Sequence, residues 1–535
     1  MVAKGRTSAG KTSAASKPQS EQFSHTKTIV KAAGIFFLAV IFSKVANYAF
    51  RWVGTRLGPS EYGVFSLAFA VFDVFVQLAV LGIDQAVLRF LPEEQALGRR
   101  KEVYNIAWFS FKVAIVSGAA ALLLLVLCAP LLSDFFHEPK LTGSLYALAP
   151  AIPLTVLCAM LVVIARGFKR VEYEATAKHF CESLLRPILA GVAVLLGLGA
   201  AGVSFAVSIS ATIACVVLFY FVSKLLPGNW VEGIRNASAP KGLVLFATPI
   251  YLSVIAGLVI TWGSVFAVGK LLSVKEVGIL NAAIPVASFV QIPSIAVPVL
   301  FGTIAVELRA RSNRTAVERL YKNITKAIML FTLPIAFLLS LFARQVLDVL
   351  FGAEYAAGAN ALAVLSFGYL LLAAGATATS MLLVERRPKL FAFVSVASVA
   401  MFVVGLFLLI PIRAFFGAAL ANAIALSMQG LLPIVAVYYI SRMHPMSKTF
   451  WRTVASAVLA AIVAFGFQLA FPLPSLPGLV LGGMAYLAAY VLFLFLLRSF
   501  DEDDLELFKA VERRTGVNLG AVRTLLRNYY FRRNG

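Results

Sequence analysis

Two short runs of polar residues interrupt the apolar sequence near the start of the chain. Lys44, Asn47 and Arg51 follow one another at three- and four-residue spacing, and Asp73, Gln77 and Asp84 recur at four and seven. On a helix that turns about 100° per residue, each set shares one face. Gln85 and Arg89 lie close to the second set. Cations on such a face can neutralise a phosphate, and Arg can do so through two parallel hydrogen bonds. The carboxylates can hold those cations in reserve, or bind a proton or Na⁺. Ionisable groups inside apolar helices are costly, so they face a cavity or a partner.

The elements that must position them are membrane helices. The chain has 535 residues, of which 60% are hydrophobic and 13% charged. Soluble domains carry roughly 25% charged residues. The mean hydropathy is +0.89. Too few polar residues remain to cover a water-facing surface, and disorder needs low hydrophobicity, so a soluble enzyme and a disordered scaffold are both excluded. A helix crosses the hydrocarbon core with about 20 apolar residues. Such runs predict fourteen spans, at 29–53, 64–91, 105–132, 144–168, 179–199, 203–226, 242–270, 278–306, 323–343, 359–384, 391–411, 414–440, 451–471 and 477–498. The fold class is therefore all-α and polytopic. The tightest connections fall at 200–202 and 412–413, where Gly199, Gly202, Pro411 and Arg413 mark the turns.

Basic residues collect on the cytoplasmic side of membrane proteins. With the N-terminal tail placed inside, 34 of the 47 Lys and Arg fall on the cytoplasmic side, including Arg99, Arg100, Lys101, Arg166, Lys178 and Arg309, and 6 fall outside. The alternation predicts a multi-pass protein of a prokaryotic cytoplasmic membrane with both termini inside. Residues 1–28 read as a disordered tail without a signal peptide. Their Gly5-to-Thr12 match to a phosphate-loop pattern has no strand to support it and reads as chance. The tail at 499–535 repeats Leu505, Phe508 and Val511 among Lys and Arg, as an interfacial helix pair on anionic membrane lipids would. A DNA-reading helix pair there is the weaker reading, so no nucleic-acid partner is expected. Cys128, Cys158, Cys181 and Cys215 are dispersed and read as apolar fillers, so no metal is expected. Trp52, Trp108 and Trp451 fall near span ends, where an interfacial belt is the default.

An internal repeat organises the spans. Leu57-Gly-Pro-Ser-Glu-Tyr-Gly-Val-Phe returns 215 residues later as Leu272-Ser-Val-Lys-Glu-Val-Gly-Ile-Leu, and Asp134 returns as Asp348. Six spans separate the copies, so they run parallel. This predicts two six-span lobes, residues 29–226 and 242–440, flanking a central cavity, with spans 13 and 14 at 451–498 as additions. Folding spans 1 and 2 about residues 58–59 brings Lys44 to the depth of Asp73, and Lys31 to that of Asp84. Arg51 and Arg89 find no acid at their depth. Glu182 and Arg186, four apart in span 5, should satisfy each other. Lys112 either snorkels to the cytoplasmic headgroups or lines the cavity.

The stretch from Arg56 to Ala68, with Leu81-Gly-Ile-Asp-Gln-Ala-Val-Leu-Arg-Phe90, resembles the polysaccharide-biosynthesis transporters of the O-antigen flippase type. These belong to the multidrug/oligosaccharidyl-lipid/polysaccharide exporter superfamily. Phe351-Gly-Ala-Glu-Tyr-Ala-Ala-Gly-Ala is similar to that family's connection between the ninth and tenth spans. The resemblance implies a flippase for a lipid-linked oligosaccharide, working by alternating access, and no enzyme. A lipid-linked glycan carries phosphate or pyrophosphate, whose passage through the roughly 30 Å hydrocarbon layer needs a counter-charge. Arg51, Arg89 and Lys44 are the candidate phosphate ligands. Asp73 and Asp84 are candidates for cavity acids or for coupling to H⁺ or Na⁺. Asn47, Gln77, Tyr251, Trp262, Asn281 and Gln291 are candidate sugar contacts. No cofactor is expected; glycan-assembly enzymes are candidate partners. The alternatives are a drug or cation exporter of the same superfamily, a peptidoglycan lipid-precursor flippase, and a membrane glycosyltransferase or polymerase. The last is disfavoured by short outer loops.

Overall fold

The computed structural model describes residues 39, 42–226, 230–240, 242–311, 313–385 and 387–501, which form helices joined by short turns with no strand among them. The tails at 1–28 and from 502 onward, the phosphate-loop match and Lys31 lie outside the described residues.

Among the described residues, eleven helical segments are long and apolar enough to cross a membrane. They hold twelve of the predicted spans, because Pro388–Ser441 contains two. Its backbone breaks at Ala414, with φ 51°. A side chain on Gly417 would run into the Leu409 carbonyl at 2.1 Å, and one on Gly405 would meet Ala421 Cβ at 2.9 Å. Contacts symmetric about residue 413 mean that the chain reverses there, as the tight 412–413 connection predicts. Span 1 is described over residues 42–55.

Span 5 departs from its expected bounds. Its helix begins at Val171, not at 179, and ends at Leu195. The section Ala175–Glu182 is π-helical. Lys178, read as a loop residue, therefore lies inside a helix. Charged residues in the first turns, Glu172 and Glu174, hide the helix from a hydropathy reading. Arg166 at the end of the preceding helix grips Glu174 with two 2.7 Å hydrogen bonds and fixes the entry. The following turn uses Gly197 and Gly199, with φ 68° and 60°. It falls a few residues before the expected 200–202.

Span 2 is also not one straight rod. Pro59–Val80 and Ile83–Ala96 are separate helices bent at Leu81 and Gly82, both in the left-handed region. Asp73 and Gln77 keep a common face. Asp84 lies beyond the bend, so the shared face expected for all three does not form. Trp108 departs too: it is buried against Trp230, rings 4.8 Å apart, rather than sitting in an interfacial belt. Trp52 and Trp451 are exposed.

The two halves of the chain meet along spans 1, 2, 7 and 8, and one continuous apolar core runs through both. Spans 13 and 14 dock on the second half. Tyr490 donates to the Leu330 carbonyl at 2.9 Å, and Lys326, 2% exposed, meets Asp501 at 2.8 Å. The basic face of the molecule carries the turns at 97–100 and 168–170. The far face carries the turns at 56–58, 137–139 and 272–273.

Candidate functional site at the seam between the halves

Span 1 is held between span 5 of its own half and span 8 of the other. Ser43 and Ser183 share a 2.8 Å hydrogen bond, and the Phe42 and Phe180 rings stack at 5.2 Å. Across the seam, the Tyr48 hydroxyl donates to the Pro285 carbonyl at 3.0 Å, and its ring stacks on Phe289 at 4.3 Å. Pro285 ends the regular part of span 8: Val274–Ala287 gives way to a 3₁₀ turn, Ser288–Gln291, before the helix resumes at Ile292. A proline lacks the N–H that the ladder needs, and a mid-helix 3₁₀ stretch often marks a working hinge. Tyr48 and Phe289 escaped the sequence reading, because nothing in an apolar run says which aromatic meets another half.

Arg51, one turn beyond Tyr48, is half-buried, and Lys44 is exposed. Neither has a carboxylate within 4 Å among the described residues. The ion pair expected between Lys44 and Asp73 is not formed. The two do lie at similar depth, since Phe50 and Phe65 meet at 5.6 Å across the same hairpin. Asp73 instead points to the other half, where the Trp262 indole N–H of span 7 donates to it at 2.8 Å. Gln77 lies one turn on from Asp73 on the same helix. Asn47 turns its amide back on its own helix, to the Ser43 carbonyl at 2.8 Å.

Towards the basic face the seam is apolar and cationic. Tyr251 donates to the Leu78 carbonyl at 3.3 Å. Arg89 lies over the Phe246 ring of span 7 at 4.4 Å and over Phe90 at 5.5 Å, also with no carboxylate within 4 Å among the described residues. Asp84 accepts from Gln85 at 2.8 Å. Asn281 is buried in span 8, and Gln291 closes the 3₁₀ turn with its carbonyl taking a 2.7 Å bond from Ser294. The structure thus brings Arg51, Asp73, Arg89, Tyr251 and Trp262 to one seam. It leaves Asn47 engaged on its own helix and Asp84 beside Gln85.

Cations elsewhere in the spans are satisfied differently. Arg186 pairs with Glu182 as expected, and Lys326 with Asp501. Lys112 donates to the Ala237 carbonyl at 3.2 Å near the basic face. Glu174, nearly buried, takes Arg166 and lies 3.7 Å from His179. Among the described residues Lys178 has no carboxylate within 4 Å, and its carbonyl accepts at 3.1 Å from Ser183, the residue bonded to Ser43 of span 1. It is a further cation close to the site that the sequence reading had placed in a loop.

A family model described as "Polysaccharide biosynthesis protein" matches residues 55–360, more than half of the chain. The chain belongs to that family. The match opens at the residue 56–68 motif that carried the resemblance and includes both copies of the repeat. This polysaccharide biosynthesis protein is 24% identical over 458 residues to the probable low-salt glycan biosynthesis flippase Agl15 of Haloferax volcanii, covering 84% of this chain and 90% of that one. It is 19% identical over 504 residues to the uncharacterized membrane protein MJ1068 of Methanocaldococcus jannaschii, covering 89% and 96%. Among solved structures, its fold is similar to the lipid II flippase MurJ in an inward closed conformation, with TM-score 0.69, 15% identity, and 86% and 97% of the two chains covered. It is also similar to an inward-facing multidrug resistance MATE family transporter of the MOP superfamily, with TM-score 0.64, 15% identity, and 75% and 96% covered. The fold is that of a polytopic transporter, as the span pattern predicts.

Proposed function

We propose that this protein flips a lipid-linked oligosaccharide, carried on polyprenyl phosphate or pyrophosphate, across the cytoplasmic membrane of a prokaryote for the synthesis of cell-surface glycans. One observation carries this reading. Lys44, Arg51 and Arg89 stand on the two spans that border the seam, and among the described residues none of them has a carboxylate within 4 Å. Arg186 and Lys326, by contrast, are paired within the protein. Arg51 is half-buried and Lys44 and Arg89 are exposed; cations within membrane spans are costly unless they face a cavity or a partner, so their retention at a seam between moving parts supports an anionic cargo. A drug exporter for cations would place acids there instead. The name of the Haloferax relative, a glycan biosynthesis flippase, supports the same class of cargo.

The basic face is assigned to the cytoplasm, with both termini inside. The phosphate of the cargo enters from that face and meets Arg89, then Lys44 and Arg51, while its polyprenyl chain stays in the bilayer. Sugar hydroxyls find Gln77, Tyr251, Trp262, Asn281 and Gln291 along spans 2, 7 and 8. Rocking of the halves then presents the headgroup to the other side. Asp73, tied to Trp262 across the seam, is the acid placed to couple that motion to H⁺ or Na⁺. Purified protein in vesicles, with a fluorescent glycan on polyprenyl pyrophosphate, tests the proposal by loss of fluorescence to an impermeant quencher. Flipping should be fast with the pyrophosphate carrier and lost when Lys44, Arg51 and Arg89 are all alanine. Equal rates for the same glycan on an uncharged polyprenyl carrier reject it, and so does drug efflux without glycolipid flipping.

A further inference from the structure

The repeat recognised in the sequence meets itself in space. Gly63 and Gly278 are equivalent residues 215 apart, and so are Pro59 and Val274. A Cβ placed on Gly63 would lie 1.7 Å from the carbonyl oxygen of Val274. One on Gly278 would lie 2.1 Å from the carbonyl oxygen of Pro59. The two glycines also face each other: each added Cβ would come within 3.1 Å or less of the other glycine's backbone nitrogen. Spans 2 and 8 therefore cross backbone against backbone. Each glycine sits under the carbonyl four residues before the other, a local two-fold arrangement of Cα–H···O contacts. Any side chain at either position meets backbone, which cannot swing aside.

The surroundings seal the same place. Tyr355, 2% exposed, donates to the Thr55 carbonyl at 3.1 Å and packs edge-on against the buried Tyr62. Glu61 ties the start of span 2 to Lys140 at 2.5 Å and to the Ala200 N–H at 2.9 Å. In the second copy Glu276 caps its own helix with Ser273. The glutamates brace each helix within its half, and the two glycines form the backbone contact between halves at this face.

We propose that this glycine crossing is the gate on the far face: closed while spans 2 and 8 touch, open when the halves separate. Gly63 and Gly278 are gate-positioning residues, required because no other side chain lets the helices close. The inference rests on the reading of the chain as a two-halved transporter, and not on the identity of the cargo. It is tested with Thr55→Cys as a reporter in the full chain with Cys128, Cys158, Cys181 and Cys215 replaced. Thr55 is buried beneath Tyr355 in the closed gate. An impermeant maleimide should label this cysteine slowly in the parent protein. Gly63→Val and Gly278→Val should each raise the rate about tenfold or more, as expected for a shifted two-state equilibrium, and each should abolish flipping. Gly191→Val, where a side chain meets nothing within 4 Å, should change neither. Should the valine variants not fold, Gly63→Ala and Gly278→Ala pose the same clash with the smallest side chain and are read in the same way. A folded variant that keeps Thr55→Cys protected, or that flips cargo at the parent rate, overturns the gate. Labelling needs no cargo, so failure of the gate and failure of the cargo assignment give different results.

Discussion

Arg51 and Arg186 are both half-buried arginines of the first half, yet their removal should have opposite consequences. Arg186 pairs with Glu182, and their side chains are 17% and 14% exposed. Arg186→Ala leaves a nearly buried carboxylate without its counter-charge, a loss that costs about 3–5 kcal/mol in comparable pairs. Arg51 has no carboxylate within 4 Å among the described residues. Arg51→Ala strands no acid, so its cost in stability should stay near the ±0.5 kcal/mol of sites without such a partner. Its effect should fall on the cargo. A hydrogen bond to a charged group contributes about 1.5–3 kcal/mol, which is about 10- to 100-fold in flipping efficiency. The measurement is a pair of curves for each variant: thermal unfolding in detergent, and quencher-monitored flipping in vesicles. Arg51→Lys should recover part of the activity, because the charge returns without the planar fork. The reasoning is refuted if Arg51→Ala melts as early as Arg186→Ala, or melts normally and flips normally.

Two other contacts carry separate expectations. Trp262→Phe removes the indole donor from Asp73 and should lower stability by about 1.5–3 kcal/mol; Asp73→Asn, which keeps an acceptor oxygen, should cost less than Asp73→Ala. Identical melting of all three variants would show that this bond does not hold the halves together. Asp501→Ala removes the carboxylate 2.8 Å from Lys326, which is 2% exposed, and should lower stability measurably. Adding Lys326→Met should restore most of that, and a double variant as unstable as the single would place the docking of spans 13 and 14 elsewhere.

Much of the architecture is legible without coordinates because it depends on local chemistry. Apolar length sets where helices lie, and the Pro411-to-Arg413 reversal follows from two spans separated by almost nothing. The glutamate–glycine repeat at 61–63 and 276–278 announced two related halves, and the depth of each charge followed from the constant rise of a helix. Direction around each helix did not follow. Lys44 and Asp73 share a depth but not a partner, because span 7 lies on the Asp73 side and brings Trp262 to it. Asp84 leaves the face of Asp73 at a bend carried by Leu81 and Gly82, where Leu81 gives no warning of a left-handed turn. Lys178 moved from loop to helix because a 2.7 Å grip between Arg166 and Glu174 holds a turn too charged for hydropathy to detect. Rise along a helix belongs to each residue and its neighbours in the chain. Azimuth is settled by which distant helix packs alongside, and that is decided only when all the spans bury their surfaces together.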